Sequence, residues 1–216
     1  DGLARRWRRR TGDLNTIAVL CRAKAAAAPL MRPAGLPDEM FQHDGQLTKS
    51  DVRAVTLAAL APAPDDVLWD VGAGAGSIAI EFLRAEPTAR AIAVEQNASR
   101  ITNIRTNGER LGARNLQIVE GAAPDALKGL ARPHVIFIGG GVGDGKVLWA
   151  CWRALRPGGR LVANAVSLEG EAALLQFMAG KGGAMTRIAI SHLDAMGSLH
   201  AWRAMHPVTQ YRGRKP

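Results

Sequence analysis

Residues Val67–Ser77 read VLWDVGAGAGS, and no other stretch restricts the possible fold as much. Val67–Val71 is an apolar run of strand length, the pattern of a strand buried in a parallel sheet. Gly72, Gly74 and Gly76 follow at alternate positions. Backbone without a Cβ turns sharply there and lets a ligand come close. Ser77–Leu83 has helix-forming content, so the turn opens a helix whose first N–H groups face that ligand. A tight turn with no ligand is the plain alternative. The dinucleotide fingerprint G-x-G-x-x-G is the sharper rival, but its third glycine would fall on Ser77. Asp70, just before the turn, would repel a diphosphate. It suits a cation such as the ammonium and sulfonium of S-adenosylmethionine. Asp70, Gly72, Ala73, Gly74, Ala75 and Gly76 are therefore candidates for the cofactor site.

The rest of the chain supports a sheet around this turn. Ala91–Val94 is a second short apolar strand that ends at Glu95, and a carboxylate there can accept both hydroxyls of a ribose. Leu116–Glu120 is a third strand, followed by Gly121, Ala122 and Ala123, small enough to leave room for a flat adenine. His134–Ile138 is a fourth, and Arg156-Pro157-Gly158-Gly159 turns into a fifth, Arg160–Ala165. Helical stripes lie between them, at Ile101, Ile104 and Leu111 and at Val147, Leu148, Cys151 and Leu155. Alternating strands and helices predict an α/β fold with a mostly parallel sheet, its ligands at the carboxyl ends of the strands. After Gln176 the pattern changes. Met185–His192 and Ala201–Tyr211 read as two strands with no helix between them, an antiparallel end pair.

At 216 residues one domain is the default. Cys21 and Cys151 have no metal-ligand spacing, so a zinc site or disulfide scaffold is not expected and a reducing cytoplasm fits. No apolar run approaches the roughly 18 residues that span a bilayer, so no membrane partner is expected. The net charge of +9 suggests nucleic acid, but its distribution does not. Residues 1–10 carry a net +4 and residues 203–216 another +4, which leaves the body nearly neutral. One tyrosine and four phenylalanines offer little platform for unpaired bases. Leu14–Arg22 reads as an isolated strand, and Pro29, Pro33 and Pro37 mark a linker. A single strand has no core of its own. The expectation is a remnant of an upstream domain at residues 1–34 and a catalytic domain at 35–216, and Asp1 in place of methionine fits a piece of a longer protein.

Five segments together carry a family resemblance: GLPDEMFQHDGQLTKSDVR (Gly35–Arg53), DVGAGAGS, EGAAPDAL (Glu120–Leu127), the glycine loop Gly139–Gly145 and LRPGG (Leu155–Gly159). They resemble the cobalamin-pathway methyltransferases that methylate a precorrin at carbon 15 and decarboxylate its ring C acetate. The resemblance implies the class I S-adenosylmethionine-dependent methyltransferase (Rossmann-like) fold, with seven strands. It also implies a polycarboxylated tetrapyrrole as substrate and a homotetramer. In two-domain members a carbon-5 methyltransferase precedes this domain. The cofactor residues it implies are Thr48, the turn Gly72 to Gly76, Glu95 and Ala123. Ala122 stands where the family often has aspartate, and Glu95 where it often has the shorter acid.

Thr48-Lys49-Ser50-Asp51 also reads as a capping box opening a helix with Val52, Val55, Ala59 and Leu60 on one stripe. Gly139, Gly140 and Gly141 form a second glycine loop at the tip of the fourth strand. It lacks the Asn-Pro-Pro-aromatic group of many nitrogen methyltransferases and suits a wide planar ring. Lys49, Arg53, Lys146 and Arg203 are candidate partners for substrate carboxylates. His192, His200 and His206 are candidate proton donors. Each of these seven also reads as an ordinary surface or structural residue. No strong protein base is required, because the macrocycle itself supplies an enamine-like nucleophilic carbon. The competing functions are an RNA methyltransferase of the same fold and a non-catalytic nucleotide-binding module.

Overall fold

A computed structural model describes residues 34–216. The strand expected at Leu14–Arg22, the arginine-rich run and the linker up to Pro33 lie outside the described residues.

Five strands and the helices between them form the body. They are β1 (Val67–Val71), β2 (Arg90–Glu95), β3 (Leu116–Glu120), β4 (Val135–Ile138) and β5 (Arg160–Ala165). The helices are α1 (Ser50–Leu60), α2 (Ser77–Ala85), α3 (Ala98–Leu111), α4 (Gly145–Ala154) and α5 (Leu168–Lys181). With β6 (Ala184–Ile188) and β9 (Val208–Arg214) the strands make one sheet in the order β3-β2-β1-β4-β5-β9-β6. β9 runs antiparallel to both neighbours. This is the class I methyltransferase arrangement expected from the motifs. No described helix is long and apolar enough to cross a membrane.

Side chains alternate across the sheet, so one strand feeds two cores. Val67, Trp69 and Val71 face one layer with Leu148, Trp152 and Phe177 of α4 and α5. Leu68 faces the other, with Leu57 of α1, Phe82 of α2 and Ile104 of α3. Cys151 lies wholly inside the first layer, and burial pushes its thiol up to about 12.

The end of the chain differs from the expectation. Four strands stand where two were predicted. β6 and β9 are the antiparallel pair of the main sheet, and β7 (Ser191–Met196) with β8 (Leu199–Ala204) forms a separate hairpin. Gly197, at φ 63, supplies the turn. Pro207 has no N–H to give and separates β8 from β9. α5 also runs past Gln176 to Lys181, where Gly182 at φ 71 ends it.

The leading segment is held by charge. Residues 53, 56, 57 and 60 share one face of α1, so Arg53 points inward with the core. It is fully enclosed, and so is Glu81 of α2. Arg53 Nε donates to Glu81 Oε1 at 2.6 Å, and Glu81 also accepts from the Gly35 and Leu36 amides. The guanidinium reaches Asp38 at 3.2 Å, donates to the carbonyls of Thr48 and Leu36, and lies 4.8 Å over the Phe41 ring. Arg53 is therefore not a surface partner for substrate. The expected capping box is not made either. α1 begins at Ser50 after an uncapped Lys49, and Asp38 Oδ1 takes the Ser50 amide at 3.0 Å.

Removing one member of a buried pair strands the other charge. Arg53→Leu should cost about 3–5 kcal/mol of stability, read from urea unfolding. A change close to that of an ordinary surface substitution would show the pair to be dispensable.

Candidate active site

A cavity of about 620 Å³ opens at the carboxyl ends of the parallel strands. The strand order reverses between β1 and β4, so the connections leave on opposite sides and a crevice forms there. Gly72, at φ 71, crosses it against Gly140. A Cβ on Gly72 would stand 2.7 Å from the Gly140 Cα and N. The two glycine loops therefore meet backbone to backbone.

Most residues expected at the cofactor line this cavity: Thr48, Gly72, Ala73, Gly74, Glu95, and the pair Ala122 and Ala123. Glu95 is 4% exposed, held by the Gly74 amide at 2.9 Å on Oε2 and by the Gln96 and Asn97 amides at 3.0 Å on Oε1. Those bonds fix its carboxylate toward the turn. Ala75 and Gly76 do not reach the cleft. Ala75 is buried, and Gly76 gives way to Ile104, whose Cγ2 would be 3.0 Å from an added Cβ.

Asp70 lies behind the turn rather than in the cleft. It is 1% exposed, its Oδ2 accepts from the Ala79 amide at 3.0 Å, and its Oδ1 has no partner. The side chain faces the layer of α1, α2 and α3, braces the start of α2 and does not line the cavity. Burial raises its pKa to about 7; the Ala79 N–H opposes the shift and the Glu95 charge adds to it.

Of the residues expected at the substrate, Gly139, Gly140, Gly141 and Lys49 line the cavity. Lys49 is 42% exposed and 3.5 Å from Asp38. Lys146 sits exposed on the first turn of α4, away from the cleft. Arg203 sits on β8 and pairs with Asp194. Both were placed near strand tips by linear position, and neither lines the cavity. His206 lines the cleft, whereas His200 is exposed on β8 and His192 stands 3.5 Å from Asp51.

Two walls were missed in the sequence. Gly45, Gln46 and Leu47 form a strap over the glycine turn, with the Gln46 carbonyl 3.2 Å from where a Gly74 Cβ would be. The strap is tied down by Arg100 to Asp44 at 2.7 Å and by Asn107, which exchanges bonds with the Gln42 backbone at 2.8 and 2.9 Å. The other wall holds Asn164, Val166, Met205 and Val208. A single amide in the apolar strand LVANA was the available signal.

These residues fit S-adenosylmethionine. A buried carboxylate faces the turn, small side chains leave a flat slot, and Cβ-free backbone admits close approach.

Asp70 makes stability depend on pH. Its folded pKa stands above the ordinary 3.8, so its stabilising contribution is complete below about pH 3.8 and fades as pH rises to about 7. Asp70→Asn has no such decline. Between about pH 4 and pH 8 the urea midpoint of the parent should fall relative to the variant's. Parallel profiles would remove Asp70 as the cause.

The family model described as a precorrin methyltransferase domain matches residues 39–215. A precorrin-6Y C(5,15)-methyltransferase [decarboxylating] of Sinorhizobium sp is 46% identical over 202 residues, 94% of this chain and 49% of that protein. A cobalt-precorrin-6B C(15)-methyltransferase (decarboxylating) of Salmonella typhimurium is 32% identical over 180 residues, 80% of this chain and 92% of that one. Among solved structures, the C-terminal domain of a precorrin-6Y C5,15-methyltransferase from Rhodobacter capsulatus superposes with TM-score 0.81 at 42% identity, covering 86% of this chain and 100% of that domain. The chain spans about half the length of the precorrin-6Y relatives it matches. With the glycine turn, the crossed second loop and the matched residues all on one sheet, the chain belongs to the precorrin methyltransferase domain family.

Proposed function

We propose that this domain transfers a methyl group from S-adenosylmethionine to carbon 15 of a precorrin and removes the ring C acetate carboxylate, a step of cobalamin biosynthesis. The observation that carries this reading is the backbone contact of Gly72 with Gly140, which puts a cofactor slot and a bare acceptor wall side by side. Glu95 would hold the ribose hydroxyls, Ala122 and Ala123 the adenine, and Thr48 and the turn Gly72–Gly74 the remainder. When bound, the cofactor supplies an electrophilic methyl on sulfur. The protein's part is positioning, which in favourable systems lowers a barrier by about 7–11 kcal/mol. Lys49 is the cleft cation that would meet a substrate carboxylate. Gly139–Gly141 leave room for a planar ring.

The two kinds of relative support the carbon-15 assignment. The single-domain carbon-15 enzyme is matched over nearly its whole length, and the C(5,15) enzymes over half. The other half of a two-domain protein is then left for carbon 5. The hairpin exposes Leu193, Met196, Leu199 and Trp202, apolar surface that a second copy would cover, which supports self-association as the expected homotetramer requires. An RNA substrate is poorly served. Among the described residues that line the cleft, Arg100 is tied to Asp44, Lys49 stands 3.5 Å from Asp38, and Phe137 is the one Phe, Tyr or Trp.

Incubation with carbon-5-methylated precorrin and labelled S-adenosylmethionine should give a product with one methyl gained and carbon dioxide lost, read by mass spectrometry. Unchanged precorrin would overturn the reading. Glu95→Ala should weaken cofactor binding by about 1.5–3 kcal/mol in calorimetry, the scale of hydrogen bonds to a charged group. Unchanged affinity would remove Glu95 from the ribose site.

A further inference from the structure

The wall of the cleft beyond the glycine loops has its own chemistry. Val52, Val166, Met205 and Val208 line the cleft here together with His206 and one amide, Asn164, at the carboxyl end of β5. That amide is not free to turn. Asn164 faces Gln210 across the β5–β9 pair, and both reach Thr56 of α1.

Arg212 sets the direction of this network. Its Nε donates to Gln210 Oε1 at 2.8 Å, and a guanidinium has no acceptor, so the oxygen end of the Gln210 amide is fixed. Gln210 Nε2 then donates to Thr56 Oγ1 at 3.1 Å and to Asn164 Oδ1 at 3.0 Å. Asn164 must turn its Nδ2 to Thr56 Oγ1, at 3.0 Å. Thr56 gives its own proton to the Val52 carbonyl at 2.7 Å, so its oxygen accepts from both amides. Thr56 and Gln210 are fully buried and their N–H and O–H donors are all spent. Among Thr56, Asn164 and Gln210 one side-chain donor is left over. It is the second N–H of Asn164, on the member that lines the cleft.

We infer that Asn164 receives, through this N–H, the substrate carboxylate that is lost, so decarboxylation belongs to the β5–β9 wall and methyl transfer to the glycine turn. The inference rests on the precorrin reading above. In the step, the bond from the exocyclic carbon to the carboxylate breaks and its electron pair enters the conjugated macrocycle. Carbon dioxide leaves, and a proton from water at the open mouth adds to the exocyclic carbon, which becomes a methyl group. Negative charge is concentrated on the carboxylate before the step and dispersed over the ring during it. A guanidinium partner would stabilise the starting charge more than the dispersed one and oppose the step. A largely apolar wall disfavours the concentrated charge, and the neutral Asn164 amide orients the carboxylate without an ion pair. Arg53 is enclosed and paired with Glu81, and Arg212 Nε is bonded to Gln210.

The test separates the two half-reactions. The full chain carrying Asn164→Leu or Asn164→Asp is incubated with carbon-5-methylated precorrin and labelled S-adenosylmethionine, and products are resolved by mass. The expected result is a methylated product that keeps its carboxylate. Decarboxylation should slow by about 10- to 100-fold, the equivalent of one hydrogen bond to a charged group, while cofactor affinity stays at the parent value. Asn164→Asp should regain decarboxylation as pH falls and its own carboxyl becomes a neutral donor. A purely structural role does not produce that recovery. Parallel loss of both half-reactions, or their parallel retention, overturns the inference. A parent chain that methylates no precorrin overturns the underlying reading first, and the inference with it.

Discussion

Two strand tips that touch through bare backbone set the geometry of everything above them. Gly72 follows β1 and Gly140 follows β4, and a side chain on Gly72 would run into the Gly140 backbone and strain its own turn at φ 71, whereas a Cβ on Gly140 would meet Gly72 at an ordinary 3.4 Å. The contact lies at the point where the strand order reverses, which is where an open α/β sheet offers a crevice. It divides the crevice in two. On the β2 and β3 side stand Glu95, Ala122 and Ala123, and on the β5 and β9 side stand Asn164, Val166 and Val208. A reaction that moves one carbon between two large ligands needs such a partition, with the loss of freedom built into the fold beforehand.

The second constraint is the enclosed Arg53–Glu81 pair. Glu81 takes two backbone amides of the leading segment while Arg53 takes two of its carbonyls, so a stretch with little secondary structure is tied to α1 and α2. Leu36 and Phe41 then fill the second core, and residues 45–48 reach across the glycine turn as a cleft wall. A pair of this kind is weak evidence of stability by itself. Here its effect is to fix where a loop goes.

Local patterns told most of the fold, and long-range partners told the rest. β1, β3 and β5 stand where their apolar runs place them, and Gly72–Gly74 and Glu95 reach the cleft because strand tip and turn are contiguous in sequence. Arg53 read as a surface base because its acid lies 28 residues away on another helix. Asp70 read as a ligand because it stands next to the turn in sequence; its carboxylate instead takes the Ala79 amide of α2, nine residues on, and does not line the cavity. β8 was fused into β9 because Pro207 was not read as a strand break, and β6 into β7 because the Ala189-Ile190 break between them carries no turn residue. The Asn164 network was out of reach, since Thr56 and Gln210 lie 108 and 46 residues from it. The leading segment beyond Gly35 was legible through the family motif rather than through any periodicity.

β9 has one more consequence. It follows β6 in the chain yet lies inside the sheet, between β5 and β6. It brings Val208 to the acceptor wall and Gln210 and Arg212 to the network that orients Asn164. The slot made by β1, β2 and β3 needs nothing from it. During synthesis, which runs from the N-terminus, the donor side is therefore complete while the acceptor side still lacks its last strand. Without β9, β6 has no partner in the sheet and α5 packs over an open edge, so the acceptor half depends on the strand that follows it while the donor half does not.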